Sequence, residues 1–431
     1  MSLFLLFAVM LGCMAVGMHI GLAMIASSLV YLLVHAGSPT ALPLAILPMK
    51  MLYGVDSFAL LAVPLFMLAG EIMSAGGITA RIVRFATALV GWITGGLAHV
   101  NIVVNMIMAG MSGSAVADAA ATGSVLIPAM VKVGFPAAFA AAVTAAAATI
   151  GPIIPPSIPF VLIGSIAGVS IGRLFLGGAV PGVLMGIVLM AATYWVAKRR
   201  GYTVERRASL RELALSFWLS LPALLMPLIV IGGIFTGLTT PTEAAVLAVA
   251  YALLLSVGVY RQLSLKDCYR ICINMGSSTA AIMLTIAGAT LLGFVATAEQ
   301  MGPKLMLVFL SFSDSPVVIL LIVDVALLIL GCLMEPVPLI LLTVPIFFPA
   351  LTKIGVDPVH LGVVMTLTLM IGLLNPVVGL NLFVTSAIAR IPLIAVARES
   401  LIFIAMLIFL LLLLTLFPQL VLWLPNLVMG G

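Results

Sequence analysis

Apolar runs of about 20 residues, the length of a helix that spans a bilayer, recur along almost the whole chain. Hydropathy places candidate spans at 3–35, 57–74, 83–109, 135–150, 174–197, 213–236, 242–260, 272–298, 316–333, 359–373 and 400–424. Shorter apolar pieces lie at 114–131, 157–169, 337–350 and 379–389, too short or too interrupted to cross alone. Of the 431 residues 64% are hydrophobic and 7% charged, with a mean hydropathy of +1.38. A soluble domain carries about 25% charged residues, so this chain lacks the material for a water-facing surface. The chain reads as an all-α polytopic membrane protein with about 11 transmembrane helices and several re-entrant or broken segments. A β-barrel needs alternating segments of about ten residues, whereas these runs are continuous. Cys13, Cys268, Cys272 and Cys332 have no framework spacing, which excludes a disulfide-built domain. The 3–35 stretch is too long for one span and is split by Gly17 and Gly21; it lacks the basic head and cleavage site of a signal peptide. Residues 42–54 read as an interfacial connector.

Charge supplies orientation. Lys198, Arg199, Arg200, Arg206, Arg207 and Arg211 crowd a single loop at 198–211, and Arg261, Lys266 and Arg270 form a second basic loop two spans later. Both therefore lie on one side, the cytoplasmic side by the positive-inside rule. Much of the net charge of +5 comes from the first loop, so the charge marks topology and no nucleic acid is expected as a partner.

That loop also divides two similar halves. Gly110, Pro128, Lys132, Gly134, Gly151, Pro155 and Ser165 match Gly331, Pro349, Lys353, Gly355, Gly372, Pro376 and Ser386, every pair 221 residues apart. An internal duplication follows, and its repeats are inverted if each half crosses the membrane an odd number of times. The divisions expected are an N-terminal half at 1–197, the basic loop at 198–211, scaffold helices at 212–270 and a C-terminal half at 271–431. The first half holds a re-entrant hairpin at about 110–131 and a broken helix at about 151–169; the second holds their counterparts at about 333–352 and 372–389.

The breaks carry the chemistry. In 151–159, GPIIPPSIP, four prolines fall within nine apolar residues, each removing a backbone donor. The matching place in the second half, 372–381, reads GLLNPVVGLN. Freed carbonyls at membrane depth must meet protein, water or an ion, and matched interruptions in two halves point to a transport site. Upstream of the breaks lie GMSGSAVADAAATG at 110–123 and GCLMEPVPLILLTVPIFFP at 331–349, long enough to enter the bilayer and turn back. Sodium takes hard oxygen ligands, and Ser112, Ser114, Asn375, Asn381 and Thr385 offer them beside broken backbone. Helix N-termini at the breaks suit a carboxylate. Among intramembrane charges, functional by default, Glu335 sits at a hairpin tip and Asp118 lies four residues from Ser114; Asp324 suits either function or the holding of a neighbouring helix. Glu71 and Glu243 read as interfacial, and Arg173 and Arg390 as anchors. His19, His35, His99 and His360 lack metal-ligand spacing, and no Walker-type phosphate loop occurs. No cofactor is expected beyond Na+ as coupling ion.

The stretch GPIIPPSIPFVLIGSIAGVSIGRLFLGGAVPG at 151–182 closely resembles the signature of the large membrane subunit, the DctM-like M subunit, of tripartite ATP-independent periplasmic (TRAP) transporters. GMSGSAVADAAATG resembles that family's first hairpin tip, and residues 331–392 its second-half core. The resemblance covers essentially the whole chain. It implies an ion transporter superfamily elevator architecture in the bacterial inner membrane. It also implies sodium-driven import of an organic acid, such as a dicarboxylate or sialic acid. The partners it implies are a periplasmic substrate-binding protein and a small four-helix membrane subunit. Carried onto this sequence, one sodium site maps to Ser112, Gly113, Ser114 and the backbone from Gly151 to Pro155. The second maps to Glu335 with Asn375, Gly379, Asn381 and Thr385, and substrate to the neighbourhood of Ser114, Ser157, Ser170 and Glu335. Here Asn375-Pro376-Val377 stands where relatives commonly carry Thr-Pro-Pro.

Two other functions remain to be weighed. Gly110-Met111-Ser112-Gly113 matches the short Gly-x-Ser-Gly of intramembrane serine proteases, with Ser112 as nucleophile and His360 as candidate base. A channel is the third reading, although matched broken repeats fit alternating access better.

Overall fold

The computed structural model describes residues 2–36, 43–202, 206–332, 334–376 and 379–430. Among these there are 20 α-helices and no strand. The first half comprises α1 (Ser2–Ala15), α2 (Ile20–Val34), α3 (Ile46–Val55), α4 (Ala62–Ala75), α5 (Ile78–Val90), α6 (Gly96–Ser112), α7 (Ala115–Lys132), α8 (Ala137–Ala148), α9 (Ile158–Ala167) and α10 (Ile171–Arg200). The second comprises α11 (Leu210–Phe235), α12 (Pro241–Leu253), α13 (Leu265–Ala298), α14 (Met301–Phe312), α15 (Pro316–Gly331), α16 (Pro336–Lys353), α17 (Pro358–Gly372), α18 (Leu380–Ala389), α19 (Leu393–Leu416) and α20 (Gln419–Met429). Local chemistry sets many of these ends. Ser114, Ser157, Ser170, Ser209, Thr240 and Ser264 each accept an N–H of the first turn they precede, satisfying donors that otherwise lack partners.

The 221-residue offset extends to whole elements. Shifting α7 by 221 lands on 336–353, the bounds of α16, and the same shift carries α8, α9 and α10 onto α17, α18 and α19. It also carries α1 and α2 onto 223–236 and 241–255, at α11 and α12. In each repeat two packed helices form a hairpin, α6 with α7 and α15 with α16, followed by a helix interrupted before its last ten residues, α8–α9 and α17–α18.

The hairpins enter from opposite faces. Helix α10 has 30 residues and is about 45 Å long at 1.5 Å per residue. Beyond its C-terminal end, the ring of Tyr202 lies 4.6 Å from that of Phe135, at the base of the first hairpin. At its N-terminal end Ser170 and Arg173 share a cleft with Thr352 and Asp357, at the base of the second. The repeats are therefore inverted. Because Arg200 ends α10 in the basic loop, the first hairpin opens on the side of that loop.

Eight helices of the described residues are long and apolar enough to cross a membrane, nine if α14 and α15, bent by 112° at a short break, make one span. Hydropathy windows see longer runs because they join pieces that the backbone separates. The 83–109 run joins the later part of α5 to most of α6, parted by a turn that ends at Gly95, whose φ is 87°. The 3–35 run is α1 and α2, parted at Gly17. Each hairpin consequently begins earlier than hydropathy places it, at α6 and at α15. Residues 203–205 of the basic loop, Leu333 in the second hairpin and Val377 and Val378 in the second break lie outside the described residues.

Two short helices form the centre. Residues Phe139–Ala148 of α8 and Val359–Gly372 of α17 are buried without interruption, as expected of helices that are apolar on every side. Around them pack α6, α7, α10, α18 and α19. Outside lie α1–α5 and α11–α14, and α13 runs along the seam, against α2, α3 and α4 on one side and α16 on the other.

Candidate ion and solute site

The first hairpin turns at Gly113, whose φ of 62° places it in the left-handed region that favours glycine. The tip abuts the proline break. A Cβ on Gly113 would stand 2.6 Å from the Pro156 carbonyl oxygen, and one on Gly110 would lie 3.7 Å from the Pro155 oxygen. Ser112 Oγ donates to Asp118 Oδ1 at 2.6 Å and accepts from the Ser114 amide at 3.3 Å. Asp118 is fully buried, and its second oxygen, Oδ2, has no hydrogen-bond partner among the described residues. That oxygen faces Gly151, where a Cβ would come within 2.4 Å of it. Ser112, Gly113, Ser114, Gly151 and Pro155 are thus brought to one place, with an unpaired carboxylate oxygen among them.

Behind Asp118 runs a buried polar file. Thr122 Oγ1 donates to the Asp118 carbonyl at 2.7 Å and lies 3.3 Å from Asn105 Oδ1. Asn105 Nδ2 donates to Asn101 Oδ1 at 2.8 Å, and Asn101 Nδ2 to Thr144 Oγ1 at 2.6 Å. Sequence reasoning passed over Asn101, Asn105, Thr122 and Thr144. The available signal was the spacing of Asn101 and Asn105, which puts two amides on one face of an apolar helix.

The second hairpin meets its break at Gly331 and Gly372: a Cβ on Gly372 would lie 2.7 Å from the Gly331 oxygen. Asn375 Nδ2 donates to Cys332 Sγ at 2.7 Å, and the Gly379 amide closes the break by donating to the Asn375 carbonyl at 2.8 Å. Asn381 is buried, donates from Nδ2 to the Ala145 carbonyl at 3.1 Å, and leaves Oδ1 without a partner among the described residues. It links the second break to α8, close to the first. Thr385 Oγ1 donates back to the Asn381 carbonyl at 2.9 Å, within its own helix.

Glu335 lies apart from this group. It is the exposed N-cap residue of α16 and lines a cavity of about 450 Å³ with Met18, His19, Ala281 and Thr285. The four serine and glutamate positions assigned to substrate occupy separate places. Ser114 lines a cavity of about 330 Å³ with Glu71, Ser74, Met275 and Ser278. Ser157 is buried, donating to the Pro152 carbonyl and accepting from the Phe160 amide at 3.2 Å. Ser170 caps α10 in the cleft with Thr352 and Asp357. The ten residues of α9, about 15 Å of helix, separate Ser157 from Ser170.

A third seam cavity, about 460 Å³, holds Lys50 with Ser57, Ser165 and Thr290. The Lys50 ammonium lies 4.7 Å from the Phe294 ring centre. Three further charged residues hold structure. Asp324 accepts from Thr368 at 3.2 Å and Thr415 at 2.9 Å, tying α15 to α17 and α19. Arg173 donates to Asn426 at 2.8 Å, and Glu243 completes a capping box with Thr240. The protease pairing does not form: Ser112 is bonded to Asp118, while the buried ring of His360 bonds the Leu414 carbonyl at 2.9 Å.

A sequence model described as "Tripartite ATP-independent periplasmic transporter, DctM component" matches residues 7–420. The chain is 42% identical over 420 residues, 97% of either sequence, to the sialic acid TRAP transporter large permease protein SiaM of Vibrio cholerae. It is 40% identical over 380 residues, 88% of this chain and 89% of the relative, to the C4-dicarboxylate TRAP transporter large permease protein DctM of Pseudomonas aeruginosa. Among solved structures the YdaH transporter of Alcanivorax borkumensis superposes with a TM-score of 0.57 over 86% of this chain and 88% of that one, at 13% identity, a likeness of fold alone. The hairpins, the paired breaks and these matches together make the chain a member of the DctM-component family of TRAP transporters, a multi-pass membrane permease.

Proposed function

We propose that this chain couples an inward sodium gradient to the import of an organic acid across the bacterial inner membrane. The observation that carries the reading is that two of the buried oxygens without partners among the described residues, Asp118 Oδ2 and Asn381 Oδ1, lie one at each break. Leaving a carboxylate oxygen dry costs several kcal/mol at membrane depth and an amide oxygen about 1–3 kcal/mol, and a sodium ion compensates without a proton. Asp118, Ser112 and the backbone from Gly151 to Pro155 form the first ion site. Asn381, with Asn375, Gly379 and Thr385, forms the second.

Motion follows from the seam. Its cavities succeed one another along α13, from Met275 through Thr285 to Thr297. The hairpin and broken-helix body, α6–α10 with α15–α19, slides against α1–α5 and α11–α14 as an elevator. Ser114 and Glu335 line the passage, Glu335 bonding hydroxyl or amine groups of the solute, and Lys50 attracts its carboxylate. A periplasmic binding protein delivers the solute and a small membrane subunit completes the scaffold, in keeping with the tripartite family description. The relatives are named for sialic acid and C4-dicarboxylates, which supports an organic acid, a carboxylate, as the solute.

Proteoliposomes holding the chain, its small subunit and loaded binding protein test the coupling. Uptake should require an inward sodium gradient. Equal uptake with choline in place of sodium, at constant pH and potential, refutes it.

A further inference from the structure

We infer that the cleft between α5 and the start of α11 is a binding site for the phosphodiester headgroup of an anionic phospholipid of the cytoplasmic leaflet. The cleft has a volume of about 470 Å³ and is lined by Arg84, Thr87, Arg206, Glu212, Leu215 and Ser216 among others. Two guanidinium groups face one carboxylate, so one positive charge is left over. Arg206 and Glu212 pair at 3.2 Å, and Glu212 is also held by the Ser209 amide at 2.7 Å. The Arg84 guanidinium has no hydrogen-bond or ion-pair partner among the described residues, although it is exposed and bears five N–H donors.

Depth and shape select a lipid. Helix α5 buries Ile78, Ile82 and Ala86 on one face and turns Arg84 outward, the arrangement of a helix lying in the interface plane. Trp92 and Trp218, both exposed, lie at the edges of this region, and the Arg207 guanidinium lies 4.9 Å from the Trp92 ring centre. Tryptophans mark the headgroup level of a bilayer. The rings of Phe85 and Phe217, 5.8 Å apart, join α5 to α11 beside the cleft. Exposed Leu89, Leu215 and Leu219 continue from the cationic end. An ion at one end and apolar side chains at the other match a headgroup with its acyl chain, and basic pockets between membrane helices on the cytoplasmic side hold such headgroups. The basic side chains of the second loop differ. Arg270 is exposed on α13 and is not among the residues that line this cleft.

The purified full chain in detergent tests the site, melted with palmitoyl-oleoyl phosphatidylglycerol, with the matching phosphatidylcholine, and with inorganic phosphate. Ligand that binds only the folded state raises Tm, so phosphatidylglycerol should raise it by at least about 3 °C more than phosphatidylcholine. The double variant Arg84→Gln/Arg206→Gln should lose at least half of that difference, roughly the share expected if both guanidinium groups hold the headgroup. Arg270→Gln should keep it. Leu215→Trp, which fills the cleft and keeps both arginines, should lose it as well, and carries the test if the double variant fails to fold. An equal response to the two lipids, an undiminished difference in Leu215→Trp, or a rise reproduced by phosphate alone would overturn the assignment.

Discussion

Asp118 shows what a single residue contributes. Ser112 satisfies one carboxylate oxygen at 2.6 Å and nothing among the described residues satisfies the other, a cost that the proposed sodium ion would remove. Replacing Asp118 by Asn keeps the size and removes the charge. The sodium concentration for half-maximal uptake should rise about tenfold or more, roughly 1.4 kcal/mol, with expression intact. Ser112→Ala removes one donor, a loss of about 0.5–1.5 kcal/mol, and should shift the same midpoint less. Uptake measured against sodium concentration at fixed ionic strength checks both, and unchanged midpoints in the pair would place the ion elsewhere. Glu335→Gln provides the contrast. Since Glu335 is exposed in a cavity with His19, its loss should lower the maximal rate and leave the sodium midpoint within about twofold, under roughly 0.5 kcal/mol.

Helix pairs depend on how closely backbones approach. Helices α2 and α13 meet where a Cβ on Gly288 would stand 2.5 Å from the Gly21 oxygen, and one on Gly21 2.9 Å from Leu284. In a membrane, small residues at such crossings supply the packing that drives association. Gly288→Leu should therefore push the two helices apart, costing about 1–3 kcal/mol and lowering Tm by several degrees. Gly232, in the last turn of α11, meets nothing within 4 Å. Gly232→Ala should be neutral or stabilising, by up to about 1 kcal/mol. Thermal unfolding of the two variants in one detergent distinguishes crossing from propensity; equal effects would mean the crossing is loose.

At the scale of the whole molecule, inversion is the property with measurable consequences. The base of the first hairpin lies at the Arg200 end of α10 and the base of the second at the Ser170 end. In a variant with Cys13, Cys268, Cys272 and Cys332 replaced, a cysteine at Lys132 should react with a membrane-impermeant maleimide only from the cytoplasmic side. A cysteine at Thr352 should react only from the periplasmic side. Labelling of both from one side would mean that the repeats are parallel.

Membrane class, helical content, the two breaks and the duplication were all legible in the sequence, because each depends on short windows. A run of apolar residues, a proline without a donor and a 221-residue echo need no partner to be read. Even there, hydropathy blurred the edges: the turn ending at Gly95 separates α5 from α6 inside one apolar run. Tertiary structure alone decided which oxygens share a site. Asp118 was visible as a buried charge, but its place against Gly151, 33 residues on, depends on how the first hairpin enters the bundle. Asn381 reaches the carbonyl of Ala145 across 236 residues, and Glu335, three residues along the chain from the Cys332 that bonds Asn375, lines another cavity. Those outcomes follow from helix crossings and hairpin depth, which depend on the packing of many side chains at once and on no local pattern.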